Sequence, residues 1–514
     1  MASEKDQGER GGQTTPQSQA PSAGSASGAP RRRAGKILIR AAVVALIVVA
    51  LGAVLHWHNL RSLASRELES AIADARAAGF ATSFSDAYYQ EWDSENAVML
   101  MPDNAAWYYT QAHGLYNTRM QARQAAPGLR DPDYRTLPII GHPERPIELK
   151  DPIPSETAKS IRTLLAENAD VLDLAHKGAA IERCRFPIRW DGPYTLLSHL
   201  TYTRRLARLV ALQMWMYAED NRPSDAVALV PDGLAIARAL AQEPLLVSSH
   251  VSYAVYANIL TEGVERVLAR TNPSNADLAA LEKEFARAAD SLSSRQAIAG
   301  AIAFAIDESA RLSDGRPICY NFKGQQEYAT ARARLSIWLY EGQIKRDVAR
   351  RIRLLQPAAT ALQNPAPEML TAAYLRALDA EPFRARFEAV GAEPWTVISD
   401  VILSCERTRA KFRSAVACVA AMRYRNDHGN WPETLEALVP EYLPSVPLDP
   451  FTGKHVRYKI TGTGITAYSI GQNLADDDGV FNLNSPINPA DPKSEPGTAD
   501  DTGFRIWKPD APLE

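Results

Sequence analysis

The chain has 514 residues, 46% of them hydrophobic and 23% charged, which is the balance of an ordinary globular protein with room for two to four domains and a sizeable core. Its formal net charge of -3, from 57 basic and 60 acidic residues, argues against a nucleic-acid partner, whose surface gathers Lys and Arg on one face. The four cysteines, Cys184, Cys319, Cys405 and Cys418, are too widely spaced for a CxxC zinc site.

Met1 to Pro30 is mostly Gly, Ser, Gln, Pro and Ala with no large apolar residue after Met1, and residues 1–36 are expected to be a disordered tail. Ile37 to Trp57 follows as a single transmembrane helix, uncharged from Ala41 to Leu55 and close to the roughly 20 residues that cross a bilayer core. Arg31, Arg32, Arg33, Lys36 and Arg40 precede the span and only Arg61 and Arg66 follow it closely, so the tail is expected in the cytoplasm and the body outside it. A retained anchor is favoured over a signal cleaved after Ser62-Leu63-Ala64, because His56, Trp57, His58 and Arg61 would crowd the cleavage region. No Cys precedes Cys184, which excludes a lipoprotein. Leu60, Leu63, Leu68 and Ile72 then predict a helical stalk to Ala78, ending at Gly79.

Residues 58–400 are expected to form an extracytoplasmic helical domain. Its first part, Phe80 to Ile147, is rich in aromatic residues and proline, with a helical window from Ala105 to Arg123 in which Trp107, Tyr108, Tyr109 and Tyr116 suit core packing. Glu91, Asp93, Glu95 and His113 make the densest cluster of acids and histidine, so Glu91, Asp93 and His113 are candidate acid–base residues beside the reading of a solvated surface. Ser155 is placed to cap a helix carrying Ile161, Leu164, Leu165, Val171, Leu172 and Leu174. After the loop around Cys184-Arg185-Phe186-Pro187 come a helix from Leu196 to Glu219, a polar turn, a helix from Asp225 to Ala241 and another from Leu245 to Ala269. Asp277 to Ala310 and Gln325 to Leu355 read as further helices. His199 and His250, on apolar helices, are expected in the core or an interface and not as ligands. The hairpin around Asp220 to Ser224 resembles a tetratricopeptide-type unit, although no 34-residue period repeats it. With its CRFP segment and alanine-rich hairpin, this part is similar to a bacterial family of membrane-anchored helical proteins, a resemblance that implies architecture and no activity.

Residues 401–514 are expected to form a small α+β domain. A long helix from about Thr396 to Arg425 shows an apolar stripe at Phe412, Ala415, Val416, Val419 and Met422. On it Cys405 and Cys418 would lie roughly 20 Å apart, beyond bridging distance, which leaves a Cys184 to Cys319 bridge, a bridge from one of these to the later pair, or four buried thiols. Gly429 ends the helix, and Leu435, Leu438, Val439, Tyr442 and Leu443 predict one buried helical face before Pro444, Pro447 and Pro450. Val456, Tyr458 and Ile460 alternate as a half-buried strand that turns at Thr461 to Gly464 into Ile465 to Ile470.

Asp449-Pro450-Phe451-Thr452-Gly453, Gly429-Asn430-Trp431-Pro432 and Tyr468-Ser469-Ile470-Gly471 resemble the globular domain of the major pseudopilin of type II secretion, over roughly Val401 to Trp507. The resemblance implies a long helix on a small antiparallel sheet, with calcium held in the loop that here carries Asp476, Asp477 and Asp478. The family's prepilin leader is missing, because a cut after Gly35 would place Arg40 where the leader needs Glu.

Gly462-x-Gly464-x-x-Ala467 sits between strands and lacks the helix N-terminus a dinucleotide needs, and HExxH, GxSxG and P-loop motifs are absent. The sequence is therefore expected to encode a mainly α protein with a pseudopilin-like α+β C-terminus, anchored in the bacterial inner membrane. Its expected role is an envelope scaffold or binding protein with a possible envelope protein partner, and the alternative is an envelope enzyme between the aromatic-rich segment and the helical body.

Overall fold

The computed structural model describes residues 29–88, 103–124, 151–188, 195–313, 319–320, 326–327, 331–361, 395–481 and 501–507. The chain divides into two compact units, Met1–Leu63 and Ala64–Glu514. Helix α1 (Ala29–Ala77) starts seven residues before Lys36, inside the stretch expected to be disordered. Pro30 sits in its first turn, where a missing N–H costs nothing. Its large apolar residues between Ile37 and Leu55 are exposed, and among the described residues Lys36–Ala77 is the one helix long and apolar enough to cross a membrane. At its far end Gly79 takes a φ of 81° and closes the helix, its N–H donating to Arg76 and that of Phe80 to Ala75. The buried stripe beyond the apolar run is Ala64, Leu68, Ala71 and Ala75; of the expected stalk face Leu68 is buried, Ile72 half-buried, and Leu60 and Leu63 exposed.

The second unit is built from short helices. These are α2 (Phe84–Tyr88), α3 (Ala105–Gln124), α4 (Ser155–Glu167), α5 (Ala169–Ala179), α6 (Ser198–Glu219), α7 (Pro223–Ala228), α8 (Val230–Ala241) and α9 (Leu246–Asn258). A π-helical segment, Ile259–Val264, carries α9 into α10 (Glu265–Arg270), and α11 (Asn275–Ser291), α12 (Arg295–Ser313), α13 (Ala331–Ala361) and α14 (Trp395–His428) follow. A two-residue hairpin pairs β1 (Cys319–Tyr320) with β2 (Gln326–Glu327).

Several expected helices are broken where a side chain or a proline competes with the ladder. Ser155 is the first helical residue and not the cap, a place taken by Pro154. Asn168 splits the expected single helix, its side-chain amide donating to the carbonyl of Leu164 at 2.8 Å. Pro231 has no N–H to continue a helix through Leu229, so α7 and α8 are separate. Ser274 caps α11 with a reciprocal Asp277 pairing, and α11 and α12 stand where one helix was expected.

The core centres on α14, which packs along α11, α9 and the C-terminal sheet. Tyr256, Phe285, Phe412 and Phe504 form a chain of ring contacts at 5.6, 5.8 and 6.5 Å that joins α9, α14, α11 and the last strand. Arg409, paired with Glu406, donates to the carbonyls of Ala289 and Leu292 and so caps the C-terminus of α11. Arg423 binds Glu282 at 2.6 Å, and Asn426 binds Asn275 at 3.0 Å. The boundary expected at 400/401 is therefore not a boundary between cores.

Gly429 ends α14 with a φ of 80°. The regular helix expected across Leu435 to Leu443 is only a 3-10 turn at Leu435–Leu438, because Pro440 offers no donor to extend it. Leu435, Leu438, Tyr442 and Leu443 are nevertheless buried, and Val439 is the one outward residue of the expected face. Strands β3 (Arg457–Ile460), β4 (Gly464–Ser469) and β5 (Thr502–Trp507) form an antiparallel sheet in that order, with Tyr458 opposite Ala467 and Ala467 opposite Phe504. The central strand is buried throughout, while on β3 Tyr458 is half-buried and Ile460 exposed, so the expected buried face stops short of Ile460. Cys184, Cys405 and Cys418 are free and buried, the last two on α14 as expected.

Gly300 of α12 lies so close to the loop after α8 that a Cβ there would stand 1.8 Å from the carbonyl oxygen of Pro244. Gly300→Ala would gain about 1 kcal/mol of helix propensity and is expected to lose more than this through backbone displacement, for a net cost of about 2 kcal/mol. Thermal unfolding of the full chain in detergent should show a lowered Tm; an unchanged or raised Tm would refute the close approach.

Candidate functional site

The aromatic helix α3 is seated by the CRFP segment. Asn104, just ahead of α3, accepts from the N–H of Arg185 and donates to its carbonyl, both at 2.9 Å, imitating a strand pair. Gln242 accepts from the N–H of Cys184 at 2.9 Å and donates to Glu182 at 2.7 Å. Phe186 is thereby fixed in the core, stacked on Tyr109 and on His199 with centroids 6.5 and 4.6 Å away. Tyr109 and Tyr116 are buried as expected, and Trp107 and Tyr108 are half-buried.

His199 is a core residue, its Nε2 2.7 Å from Oε1 of the fully buried Glu243. The other carboxylate oxygen accepts from the Ser248 hydroxyl. The carboxylate stands between hydroxyl and imidazole, so the imidazole is not placed to take the serine proton, and the trio fills a structural role. His250 is exposed, so of its two expected places, core or interface, it does not take the core.

Of the acid–base candidates, Glu91 and Asp93 lie outside the described residues. His113 stacks on Tyr202 at 4.3 Å, and burial, helped by the charge of Arg205, lowers its pKa. It is thus a neutral imidazole on a ring at neutral pH.

A stronger group lies where the π-helical segment meets α14 and β5. A π turn carries its side chains round the axis by an extra residue, and such turns recur at functional sites. Here it is pinned by the Trp215 indole, which donates to the carbonyl of Glu262. Below it the guanidinium of Arg266 lies 4.2 Å over the Trp215 ring and 2.7 Å from Glu219, which also holds Arg270 at 3.3 Å. The half-buried Glu265 is left in the field of Lys411 of α14 and Arg505 of β5, and the half-buried Glu262 in that of Arg208 of α6. Arg505 is fixed over Phe481 at 4.2 Å and donates to the carbonyl of Gly479 at 2.9 Å.

Burial pushes the Glu265 carboxyl up to about 8, against the opposing charges of Lys411 and Arg505 and with the help of Glu262. Burial likewise lowers Lys411, which Glu265 opposes and Arg407 reinforces. The same burial raises the carboxyl and lowers the amine, and oppositely shifted groups of this kind mark a candidate acid–base site. Sequence reading passed over these residues, yet Glu262, Glu265 and Arg266 are conspicuous charges inside the apolar run from Ile259 to Leu268.

The acidic loop does not gather its carboxylates. Asp476 binds Arg457 at 2.9 Å and the Tyr468 hydroxyl at 3.1 Å, Asp478 binds Lys459 at 2.5 Å, and Asp477 accepts from Asn473 at 3.1 Å. Among the described residues no group of three or more His, Cys, Asp or Glu is arranged for a metal ion. Of the three residues expected at a calcium site, Asp476 and Asp478 are each paired with a basic residue of β3, Arg457 and Lys459.

Two measurements follow. Glu265 is protonated in the fold well above the pKa of about 4.3 that a free Glu has, so its contribution is full below that value, falls as pH rises and is lost by about pH 8. The drop in Tm between pH 5 and pH 8.5 is expected to be smaller in Glu265→Gln than in the wild type, and equal drops would refute the raised carboxyl. Adding millimolar calcium after EDTA is expected to leave the Tm unchanged, and a rise that an Asp476→Ala, Asp478→Ala double variant lacks would restore the metal site.

Compared with models of protein families, with curated proteins and with solved structures, the chain matches none.

Proposed function

We propose that this chain is a single-pass envelope protein of the bacterial inner membrane, with its N-terminus in the cytoplasm and its helical body and pseudopilin-like C-terminal unit held outside as a scaffold or binding platform for an envelope protein. The observation that carries this reading is the wholly exposed apolar stretch of α1, whose side chains have no partner in water and match a bilayer core. Arg31, Arg32, Arg33 and Lys36 support the orientation. A long helix against a three-stranded antiparallel sheet supports the pseudopilin likeness, and the α6 hairpin the tetratricopeptide likeness. A fibre subunit is disfavoured, because several hundred residues separate the span from α14 and that helix is enclosed in the body.

A second reading, an acid–base enzyme, is favoured by one observation: the raised carboxyl of Glu265 beside Lys411. It moves the alternative site away from Glu91, Asp93 and His113.

Protease added to spheroplasts is expected to digest the body and to spare a tag on Met1. Digestion of the tag with survival of the body would invert the topology. For a scaffold, the Glu265→Gln chain is expected to restore whatever a deletion strain loses, and failure of a folded Glu265→Gln chain to do so would favour the enzyme.

A further inference from the structure

Three charged side chains converge where the π-helical segment, α14 and β5 meet, and two of them have nothing to hold. Glu265 opens α10, which packs against β5, and Lys411 and Arg505 act on its carboxyl from α14 and β5. All three side chains are half-buried. Their neighbours are not: Ala410 and Phe412 beside Lys411, Thr408 and Ser414 a turn to either side of it, and Phe504 and Ile506 beside Arg505 are buried. Helix and strand are thus sealed around these positions, and the charged groups alone reach solvent there.

Among the described residues neither Glu265 nor Lys411 makes a hydrogen bond or an ion pair, although each lies in the other's field. Opposite charges in reach of each other that form no ion pair leave a space between them that a third polar group can occupy. Arg505 is already oriented toward such a group, lying over the Phe481 ring and using one of its N–H donors on the carbonyl of Gly479. Ser414, on the same side of α14 as Lys411, keeps a buried hydroxyl without a hydrogen-bond partner.

The balance of charge sets the sign of the ligand. The elements packed round the site contribute Arg208 of α6, Glu262 of the π-helical segment, Glu265 of α10, Arg407 and Lys411 of α14 and Arg505 of β5. Arg208 offsets Glu262, and Glu265 holds its proton at neutral pH, which leaves Lys411 and Arg505 without a counter-charge. We propose that Lys411, Arg505 and Glu265 form a binding site for a small oxyanion, the carboxylate or phosphate group of a ligand, with the two basic groups supplying charge and the carboxyl donating a hydrogen bond. Guanidinium and ammonium groups bind such oxygens through charge-assisted hydrogen bonds, and a half-buried setting strengthens them. Ionised Glu265 would repel the anion, so the proton on Glu265 and the ligand are taken up together. The inference rests on the Glu265 site of the second reading above and assigns it a ligand class and no reaction.

The test follows the Tm of the full chain in detergent as sodium chloride is replaced by sodium acetate or sodium phosphate at constant ionic strength. Expected at pH 6 is a saturable rise in Tm that Lys411→Met and Arg505→Met each lose and Lys411→Arg keeps. The anion giving the tighter saturation identifies the group as carboxylate or phosphate. Acetate keeps one charge between pH 6 and pH 8.5, while Glu265, with its carboxyl at about 8, keeps its proton in only about a quarter of the molecules at the upper end. The dissociation constant for acetate is therefore expected to rise about fourfold in the wild type over that range and to stay level in Glu265→Gln. No saturable rise in the wild type, or an equal rise in the two methionine variants, would overturn the site. A rise lost in those variants yet equal at both pH values in the wild type would overturn the part given to Glu265, and the acid–base reading with it, and leave the anion between the two basic groups.

Discussion

Between Val401 and Met422, helix α14 turns nearly all of its circumference into protein: Ile402, Cys405, Phe412, Ala417, Cys418 and Ala421 point in different directions round the axis, and all are buried. A helix enclosed in this way has to be apolar on every side and narrow enough for neighbours to close over it. The run of Ala, Val and Cys from Ala415 to Ala421 meets both demands. Among the polar residues it retains, Glu406 and Arg409 are paired and the guanidinium is spent on the open end of α11. The sheet and the helical body thus share a single interior, although the sequence gives them different characters.

How much of this was legible depended on how far apart the cooperating residues are. The apolar stripe of α14 from Phe412 to Met422 obeys the helical period and was readable, but the small residues on the other faces carry no periodic signal and hid the second layer that covers them. Helix breaks at Asn168 and Leu229 came from one side-chain hydrogen bond and one proline, local events that a period averaged over a window smooths away. Gly79 and Gly429 were readable as helix ends because each had to supply a positive φ.

The sites followed the same logic. Three adjacent aspartates invite a metal when read alone; Arg457 and Lys459, about twenty residues earlier, become their partners only after β3 is in place. Glu265 was invisible as a perturbed acid because its surroundings are assembled from α14 and β5, far along the chain. His199 was placed in the core correctly, since a lone histidine in an apolar helix is most simply satisfied by one buried carboxylate, here Glu243.

The capping of α11 by Arg409 sets a schedule for biosynthesis. The bond from Arg409 to Ala289 closes a separation of 120 residues. At ribosomal rates of about 5–20 residues per second, the face of α11 that carries Leu278, Leu281 and Phe285 waits on the order of ten seconds for its cover. During that interval it is a sticky surface on a nascent chain tethered at a membrane, and crowding by sister chains there would favour mispairing. Slow elongation beyond residue 300 would lengthen the exposure, and a holdase that masks apolar helices would shorten its effect. The cost of building the fold around its last long helix is thus a dependence on escort during synthesis, which the finished protein no longer shows.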